Sequence, residues 1–333
     1  MFGSHLSIAQ GLDQAALEAH RLGMQTVQVF TKNQQQWAAK PLDPEVVRRW
    51  RDAIAELGWQ GRTVSHASYL INLASPDDAL WNKSVDLMTD EIRRCDALGI
   101  AFLVHHPGSY TGWTLEEGLA RIADAYKQLF ERTKGARVVS CLEGTVGAGR
   151  LIGGRFEELA SLRERIIAAT GQAERVGFCL DTCHMHAAGY DLSDAARARE
   201  HLRTFDQVAG LTHVRVLHIN DSKAPAGSKR DLHEHIGEGT IAGGSPGKPS
   251  RRLSACGFGA FLNHPLLRDV PKILETPKGL APAKGDKPGE PWDAVNLRRL
   301  RRLLEDKGPD KVPDKGEGQG QGHGKDKPDD EGD

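Results

Sequence analysis

The chain has 333 residues, of which 39% are hydrophobic and 27% are charged, enough to bury the core of one large domain or of two ordinary ones. Apolar runs such as 100–104 are far shorter than the roughly 20 residues that cross a bilayer, and residues 1–10 lack a basic stretch followed by an apolar one. The formal net charge of −1 does not by itself indicate a nucleic-acid partner, but residues 307–333 hold five Lys and eight Asp or Glu, which leaves +2 on residues 1–306. The composition therefore argues against membrane insertion and secretion.

The cysteines also bear on the compartment. The chain has five, at positions 95, 141, 179, 183 and 256, and no two of them form a CxxC pair. An odd number without that spacing argues against a disulfide framework and against a cysteine-rich zinc module. We therefore expect a reducing compartment, the cytoplasm.

Short stretches rich in β-branched residues alternate with amphipathic helical patterns along the chain. The clearest helical pattern follows the capping-box sequence of Thr114 and Glu117 and has apolar residues at 115, 119, 122, 126 and 129 on one face. The eight strand-then-helix units predict an α/β fold, a (β/α)8 TIM barrel, and a doubly wound open sheet is the alternative. The predicted strands are residues 4–7, 26–30, 63–67, 101–106, 138–143, 176–181, 214–220 and 272–276.

Two glycine- and proline-rich stretches, 239–257 and 280–291, interrupt this alternation. We interpret both as loop insertions in a single catalytic domain that spans residues 1–306. The first contains Lys248, Arg251 and Arg252, which could contact a polyanion if a phosphate lies nearby. Residues 307–333 are Gly, Pro and charged residues with almost no apolar side chain, so we expect this tail to be disordered.

Histidines and carboxylates stand at the carboxyl ends of six consecutive predicted strands. One such residue would more often be structural, but six at one rim of a barrel converge on one space. Two local pairs add to them: Asp181 with His184, where a strand turns into a helix, and Asp231 with His233, in the pattern D-x-H. The full set of candidate ligands is His66, His106, Glu143, Asp181, His184, His218, Asp231, His233 and Glu275.

Five imidazoles and four carboxylates suit Zn²⁺ or Mn²⁺ better than Mg²⁺ or Ca²⁺, which prefer oxygen ligands alone. At three or four protein ligands per catalytic ion, with a bridging carboxylate, the set would hold two to three ions. Clustered divalent ions lower the pKa of bound water and stabilise the attacking and leaving oxygens of a phosphodiester. We therefore predict metal-dependent phosphodiester hydrolysis. The alternative is a barrel core in which these groups only hydrogen-bond to one another.

Other histidines near the rim are assigned differently. By alternation along its strand, His105 points away from the side that His106 faces, so we predict a structural role for it. His186 and His235 flank candidate ligands, and we expect them to orient those ligands.

Six strings of residues carry a family resemblance. They are FTKNQQQW (30–37), SHASYLINLASP (65–76), HHPGSY (105–110), GFCLDTCHMHAAGYDL (177–192), LHINDSK (217–223) and DLHEHIGEG (231–239). In this order they resemble the endonuclease IV family of apurinic/apyrimidinic endonucleases, in the xylose-isomerase-like TIM-barrel superfamily. The resemblance implies a barrel with three zinc ions that incises double-stranded DNA 5′ of an abasic site, leaves a 3′ hydroxyl, and clears blocked 3′ ends in base-excision repair.

The resemblance also implies how the ligands are shared among three Zn²⁺ ions, with Mn²⁺ as an alternative at one site. Catalysis would be carried by the ions rather than by a protein base, so the ligands of the second ion count as the catalytic residues. Glu143 would bridge the first two ions. The three groups are His66, His106 and Glu143; Glu143, Asp181, His218 and Glu275; and His184, Asp231 and His233.

Tyr69 and Leu70 match family residues that insert into the base stack at the lesion, and an aromatic with an apolar wedge suits the gap left by a missing base. Further residues beside the motifs are expected to contact DNA, mainly at its phosphates. These are Gln35, Lys32, Lys223, Lys229 and Arg230.

The chain departs from the family pattern at four positions. Gln35 and Leu232 stand where the family often has arginine, Gly144 where it commonly has a polar residue, and His186 where an aromatic is frequent. These departures bear on lesion affinity and substrate range rather than on the metal centre.

Two other functions stay open from the residues alone. A metal-dependent sugar isomerase or epimerase of the same architecture would need fewer ligands and often a lysine base. A catalytically inactive lesion-binding module would bind abasic DNA without cutting it. We expect the protein to be a monomer without membrane contact.

Overall fold

The structure is a computed structural model that describes residues 1–283 and 288–304. The predicted tail, 307–333, and the predicted domain end at 306 lie outside the described residues, as does the middle of the predicted insertion 280–291. Among the described residues, no helix combines the length and apolarity that a membrane span requires.

Ten strands and nine α-helices make up the described part of the chain. The strands are β1 (Phe2–Ser4), β2 (Gln28–Val29), β3 (Val64–His66), β4 (Phe102–His105), β5 (Val139–Glu143), β6 (Val176–Asp181), β7 (Val214–His218), β8 (Asp221–Ser222), β9 (His233–Glu234) and β10 (Lys272–Leu274). The helices are α1 (Leu12–Arg21), α2 (Pro44–Glu56), α3 (Asp78–Leu98), α4 (Leu115–Arg132), α5 (Phe156–Thr170), α6 (Thr182–Ala188), α7 (Ala195–Val208), α8 (Phe258–Asn263) and α9 (Trp292–Arg301).

Eight of the strands form one parallel sheet in the order β1, β10, β7, β6, β5, β4, β3, β2. A parallel bridge between His5 and Gln28 joins its two ends, and the Leu6 amide donates to the Gln28 carbonyl at 2.9 Å. The sheet therefore closes into a barrel with helices around it, which confirms the (β/α)8 prediction and excludes the open sheet. The first strand, Phe2–Ser4, begins and ends earlier than the predicted 4–7. Beyond it, the His5 amide still donates to the Leu274 carbonyl at 2.9 Å, and His5 pairs with Gln28 through the isolated bridge alone.

Apolar side chains fill the barrel interior below the rim. This small cluster is separate from the large core between the helices and the outer face of the sheet. Its buried members are Val64, Val104, Cys141, Cys179, Val216 and Ile273. Since the lower interior is packed with apolar side chains, the inward-facing positions nearer the carboxyl ends of the strands remain for polar groups.

The capping box predicted for α4 is present. The Thr114 hydroxyl accepts from the Glu117 amide at 3.3 Å, and the Glu117 carboxylate accepts from the Thr114 amide at 2.8 Å. Such a cap stabilises a helix by about 1 kcal/mol. Together with the buried face of α4, it fixes the helix that supports β4 and β5.

Asp221 anchors a small antiparallel hairpin, β8 and β9, beside the rim. Its buried carboxylate accepts from the amides of Ser222 at 2.9 Å, Gly237 at 2.9 Å and Ile241 at 3.1 Å. Burial raises the pKa of Asp221 to about 6, against the opposing effect of these amide hydrogen bonds. Because Ser222 pairs with His233, the anchor also fixes the strand that carries a predicted metal ligand.

Replacement of Asp221 by Ala is expected to lower the free energy of unfolding by about 3 kcal/mol, since it leaves three buried amides without an acceptor at roughly 1 kcal/mol or more each. Urea unfolding followed by circular dichroism measures the change. The control is Asp124→Ala on the surface of α4, where the carboxylate pairs with Lys127 in solvent, and it should leave the midpoint unchanged. Equal losses in both variants would contradict the anchoring role.

Candidate metal centre

The nine predicted ligands come together at the carboxyl rim of the barrel. In the first group, Nε2 of His66 lies 3.0 Å and Nε2 of His106 lies 3.2 Å from the same oxygen, Oε2 of Glu143. One candidate ligand atom from each of the three residues lies within 4.8 Å of the others, so they could hold one ion. His66 and Glu143 are buried, and His106 is partly exposed.

The second group shares Glu143 with the first. Nδ1 of His218 lies 2.9 Å from Oε1 of Glu143, 3.0 Å from Oε2 of Glu275 and 3.8 Å from Oδ2 of Asp181. These four residues also satisfy the 4.8 Å criterion for a common ion. Each Glu143 oxygen thus faces a different group, the geometry of a bridging carboxylate.

The third group lies closer to solvent. Nε2 of His184 is 3.2 Å from Oδ2 of Asp231, and Nε2 of His233 is 3.2 Å from Oδ1 of the same residue. Asp181 adjoins this group, since its Oδ2 lies 3.6 Å from Nε2 of His233. The Asp231 side chain is 46% exposed, so a substrate could approach from this side.

The imidazoles are oriented as metal ligands usually are. Nδ1 of His66, His184 and His233 donates to the backbone carbonyls of Ala67, Gly144 and Glu275, at 2.8, 2.9 and 3.2 Å. A carbonyl only accepts, so each Nδ1 carries the proton and Nε2 is free to bind a cation.

Two of these Nε2 atoms test directly whether the residues fit a metal ion. Among the described residues, Nε2 of His184 and Nε2 of His233 are buried without a hydrogen bond, although each lies 3.2 Å from a carboxylate oxygen of Asp231. A divalent cation would satisfy both imidazole nitrogens and the carboxylate that they face. The residues present therefore fit a metal.

The charges of the cluster are strongly coupled. Burial alone would raise the pKa of Glu143, but His218 and His106 hold it well below its usual range. Burial alone would lower the pKa of His184, but Asp181 and Asp231 raise it well above its ordinary value. The four carboxylates thus require positive charge among them, as protons on the histidines or as metal ions.

Two neutral amides position the second group, and sequence reasoning missed both. The Gln28 side chain accepts at 2.9 Å from Nε2 of His218 and donates at 2.7 Å to Glu275. The Asn220 side chain donates at 2.7 Å to Asp181 and accepts from the Glu275 amide at 2.7 Å. The sequence signal that could have identified them is a polar residue near the carboxyl end of an otherwise apolar strand.

The predicted wedge stands beside the cluster. Tyr69 is 60% exposed, and its ring centroid lies 5.1 Å from that of His66 and 5.9 Å from that of His106. Leu70 is half-buried next to it, and Gln35 is exposed on the neighbouring loop. Their contact with DNA stays a prediction.

Three of the predicted phosphate contacts are exposed on the segment between β8 and β9, namely Lys223, Lys229 and Arg230. Lys229 has a φ of 58° and donates from Nζ to the Ala188 carbonyl at 2.8 Å, which fixes its side chain close to the barrel. Lys248, Arg251 and Arg252 are exposed on the loop 239–257.

The prediction that Lys32 contacts phosphate is wrong in this structure. Lys32 is only 6% exposed, donates from Nζ to the Gln36 carbonyl at 2.8 Å, and lies 3.8 Å from the buried carboxylate of Glu91. Its ammonium group points into the protein beneath the loop and not toward the solvent that DNA would occupy.

The structure confirms the prediction for one of the remaining histidines near the rim and contradicts it for two. His105 faces away from the cluster, as alternation predicts, with Nε2 2.7 Å from the Tyr126 hydroxyl. The expectation that His186 and His235 orient ligands is wrong, because their ring contacts lie elsewhere. Nδ1 of His186 accepts from the Leu192 amide at 3.2 Å, and the His235 ring stacks on Trp292 at 3.7 Å.

The chain is similar in sequence to known proteins. Residues 16–244 match the family model described as xylose isomerase-like TIM barrel. A probable endonuclease 4 from Chloroflexus aurantiacus is 40% identical over 304 residues, which are 91% of this chain and 98% of that protein.

Two solved structures are similar. The crystal structure of endonuclease IV from Thermus thermophilus has a TM-score of 0.72 and 34% identity over 91% of this chain and 98% of that one. A D-tagatose 3-epimerase-like protein has a TM-score of 0.63 at 17% identity, covers 91% of this chain and 96% of its own, and shares the fold alone. The chain therefore belongs to the endonuclease IV family of xylose isomerase-like TIM barrels, and it is a nuclease of the hydrolase class.

Proposed function

We propose that this nuclease is a zinc-dependent apurinic/apyrimidinic endonuclease. Its first substrate is double-stranded DNA with an abasic site, which it incises on the 5′ side to leave a 3′ hydroxyl. Its second substrate is a blocked 3′ end of DNA. Both reactions belong to base-excision repair. The observation that carries the proposal is Glu143, which two ligand groups share, the first of them directly beside the exposed Tyr69 ring. The protein acts as a monomer in the cytoplasm.

Each ligand group would hold one ion, Zn²⁺ in all three with Mn²⁺ as an alternative at one. The groups are His66, His106 and Glu143; Glu143, Asp181, His218 and Glu275; and His184, Asp231 and His233. When bound, such ions lower the pKa of water and neutralise charge that develops on the oxygens of a phosphodiester.

The chain's own side chains supply placement. Gln28, Asn220 and the backbone carbonyls hold the ligands in one orientation before any substrate arrives. The Tyr69 ring and Leu70 fill the gap of the missing base, which places the adjoining phosphate at the cluster. The exposed Asp231 side of the third group is the side from which that phosphate enters.

The ligand inventory favours this function over sugar epimerisation. Nine ligands in three adjoining groups exceed what one catalytic ion requires, and the third group opens toward solvent. The epimerase-like structure shares the barrel at 17% identity, which carries no argument for its chemistry.

Purified protein loaded with Zn²⁺ is expected to cut a duplex oligonucleotide immediately 5′ of a single abasic analogue. Chelation should abolish the cut, and Glu143→Ala should lower the rate by about 10³-fold or more, because it removes the ligand shared by two groups. Product size on a denaturing gel measures incision, and mass spectrometry of bound metal measures occupancy.

Glu116→Ala is the matched control for that experiment, since Glu116 is an exposed carboxylate on α4 that pairs with Arg165. It should retain three ions and full incision. A fully metallated wild-type protein that leaves the abasic duplex intact would refute the proposed function.

Replacement of Tyr69 by Ala is expected to weaken binding to abasic DNA by about 10- to 100-fold, since stacking between an aromatic ring and a base contributes about 1–3 kcal/mol. Tyr69→Phe keeps the ring and should bind nearly as the wild type does. Fluorescence anisotropy of labelled duplex in chelator measures the affinity without cutting. Equal loss in the Phe variant would contradict stacking as the cause.

Salt dependence tests the exposed cations. The triple change Lys223→Ala, Lys229→Ala and Arg230→Ala should reduce the slope of log affinity against log salt by up to about 3, at about 0.9 for each phosphate contact. Lys32→Met should leave the slope unchanged, because its ammonium is buried. A shallower slope in Lys32→Met would instead show that Lys32 contacts a phosphate, which its buried position argues against.

A further inference from the structure

Two neighbouring segments of the rim carry the residues proposed to meet DNA. Residues 31–40 follow β2 and include Gln35, and residues 68–70 follow β3 and include Tyr69 and Leu70. We name them the 31–40 segment and the 68–70 segment. The Ser68 hydroxyl donates to the Gln34 carbonyl at 2.5 Å, so the two segments touch.

Glu91, on the buried face of α3, joins both segments from below. It is 1% exposed, and its carboxylate accepts from the Thr31 hydroxyl at 2.9 Å and lies 3.8 Å from the Lys32 ammonium. Burial raises the pKa of Glu91, and the nearby Ser68 amide opposes this effect. One buried carboxylate therefore holds the start of the 31–40 segment and adjoins the 68–70 segment, which the Ser68 hydroxyl joins to the Gln34 carbonyl.

Arg94, one turn further along α3, fixes the ends of the 31–40 segment. Its guanidinium donates to the Thr31 carbonyl at 2.7 Å and to the Lys40 carbonyl at 3.0 Å. Lys32 donates to the Gln36 carbonyl at 2.8 Å, between these two points. The segment is thus held at its beginning, middle and end by charged groups.

A buried ion pair is weak support for stability, because desolvation offsets most of the attraction between the charges. Here the charged groups bind backbone carbonyls and a hydroxyl of the 31–40 segment, directly beside the 68–70 segment. Apolar residues of similar size could stabilise the same core, but they could not set the register between the two segments.

We propose that Glu91 is a positioning residue for DNA recognition. It holds the 31–40 segment, with Gln35, at a fixed spacing from the 68–70 segment, with Tyr69 and Leu70. This inference rests on the proposed function. Segments held in their binding geometry before contact lose less conformational entropy on binding, so the effect belongs to substrate affinity. The predicted metal ligands are other residues, and they stay in place when Glu91 is replaced.

The test is the double variant Glu91→Leu with Lys32→Met. It removes both buried charges together, so neither is left without a partner, and it removes the hydrogen bonds to Thr31 and Gln36. We expect KM for an abasic duplex to rise about 10-fold with kcat within about 2-fold of wild type, the signature of lost binding alone. Bound metal should be unchanged.

Thr31→Val provides a second variant that alters no charge and keeps the side-chain shape. It removes one hydrogen bond to Glu91 and should raise KM in the same direction, by about 3-fold. The control is Asp86→Asn, an exposed carboxylate on the same helix that pairs with Arg132, and it should keep the wild-type KM.

Wild-type KM in both test variants would overturn the inference, as would a fall in kcat or in bound metal at unchanged KM. A metallated wild-type protein that makes no incision would overturn the proposed function and the inference with it. The two failures are distinguishable, because the first appears only in the variants and the second appears in the wild type.

Discussion

Four carboxylates converge at the rim, three of them buried or nearly so and the fourth, Asp231, partly exposed, and the rest of the site follows from that constraint. Buried negative charges of this density repel each other unless cations lie among them. Glu143 shows the solution most clearly, since each of its oxygens faces imidazole nitrogen of a different ligand group. The endonuclease IV fold thus stabilises a cluster that attracts divalent cations, and those cations in turn suit a polyanionic substrate.

The barrel divides its interior between two tasks. Its lower part is packed with valine, cysteine and isoleucine, which fixes the strands without polar contacts. Its upper part is polar, and neutral groups such as Gln28 and Asn220 hold the charged ligands in one orientation. These hydrogen bonds restrict the orientation of the candidate ligands, as the groups that surround a metal site usually do.

The fold, and the convergence of the nine candidate ligands at one rim, could be predicted because parallel strands bring their carboxyl ends together, so position along the chain implied position in space. That these residues bind metal stays a prediction. Three things could not be predicted. The direction of a long side chain such as Lys32 depends on a distant partner, Glu91, which no local pattern reveals. Neutral amides such as Gln28 carry no charge signal. His186 and His235 are close to ligands in sequence, but their rings pack against other elements.

Barrel closure has a consequence for how the protein is made. The site needs β1 beside β10, a contact between residues about 270 positions apart, and Ser4 also donates to Asp293 at 2.7 Å. Gln28, which closes the sheet through His5, is the same residue that holds His218 and Glu275. Contacts of such long range cannot form until the C-terminal strand of the barrel has been synthesised. A chain still being synthesised on the ribosome therefore lacks a complete set of ligands until nearly all of its barrel has emerged, so a partly made nuclease has no assembled centre with which to cut DNA.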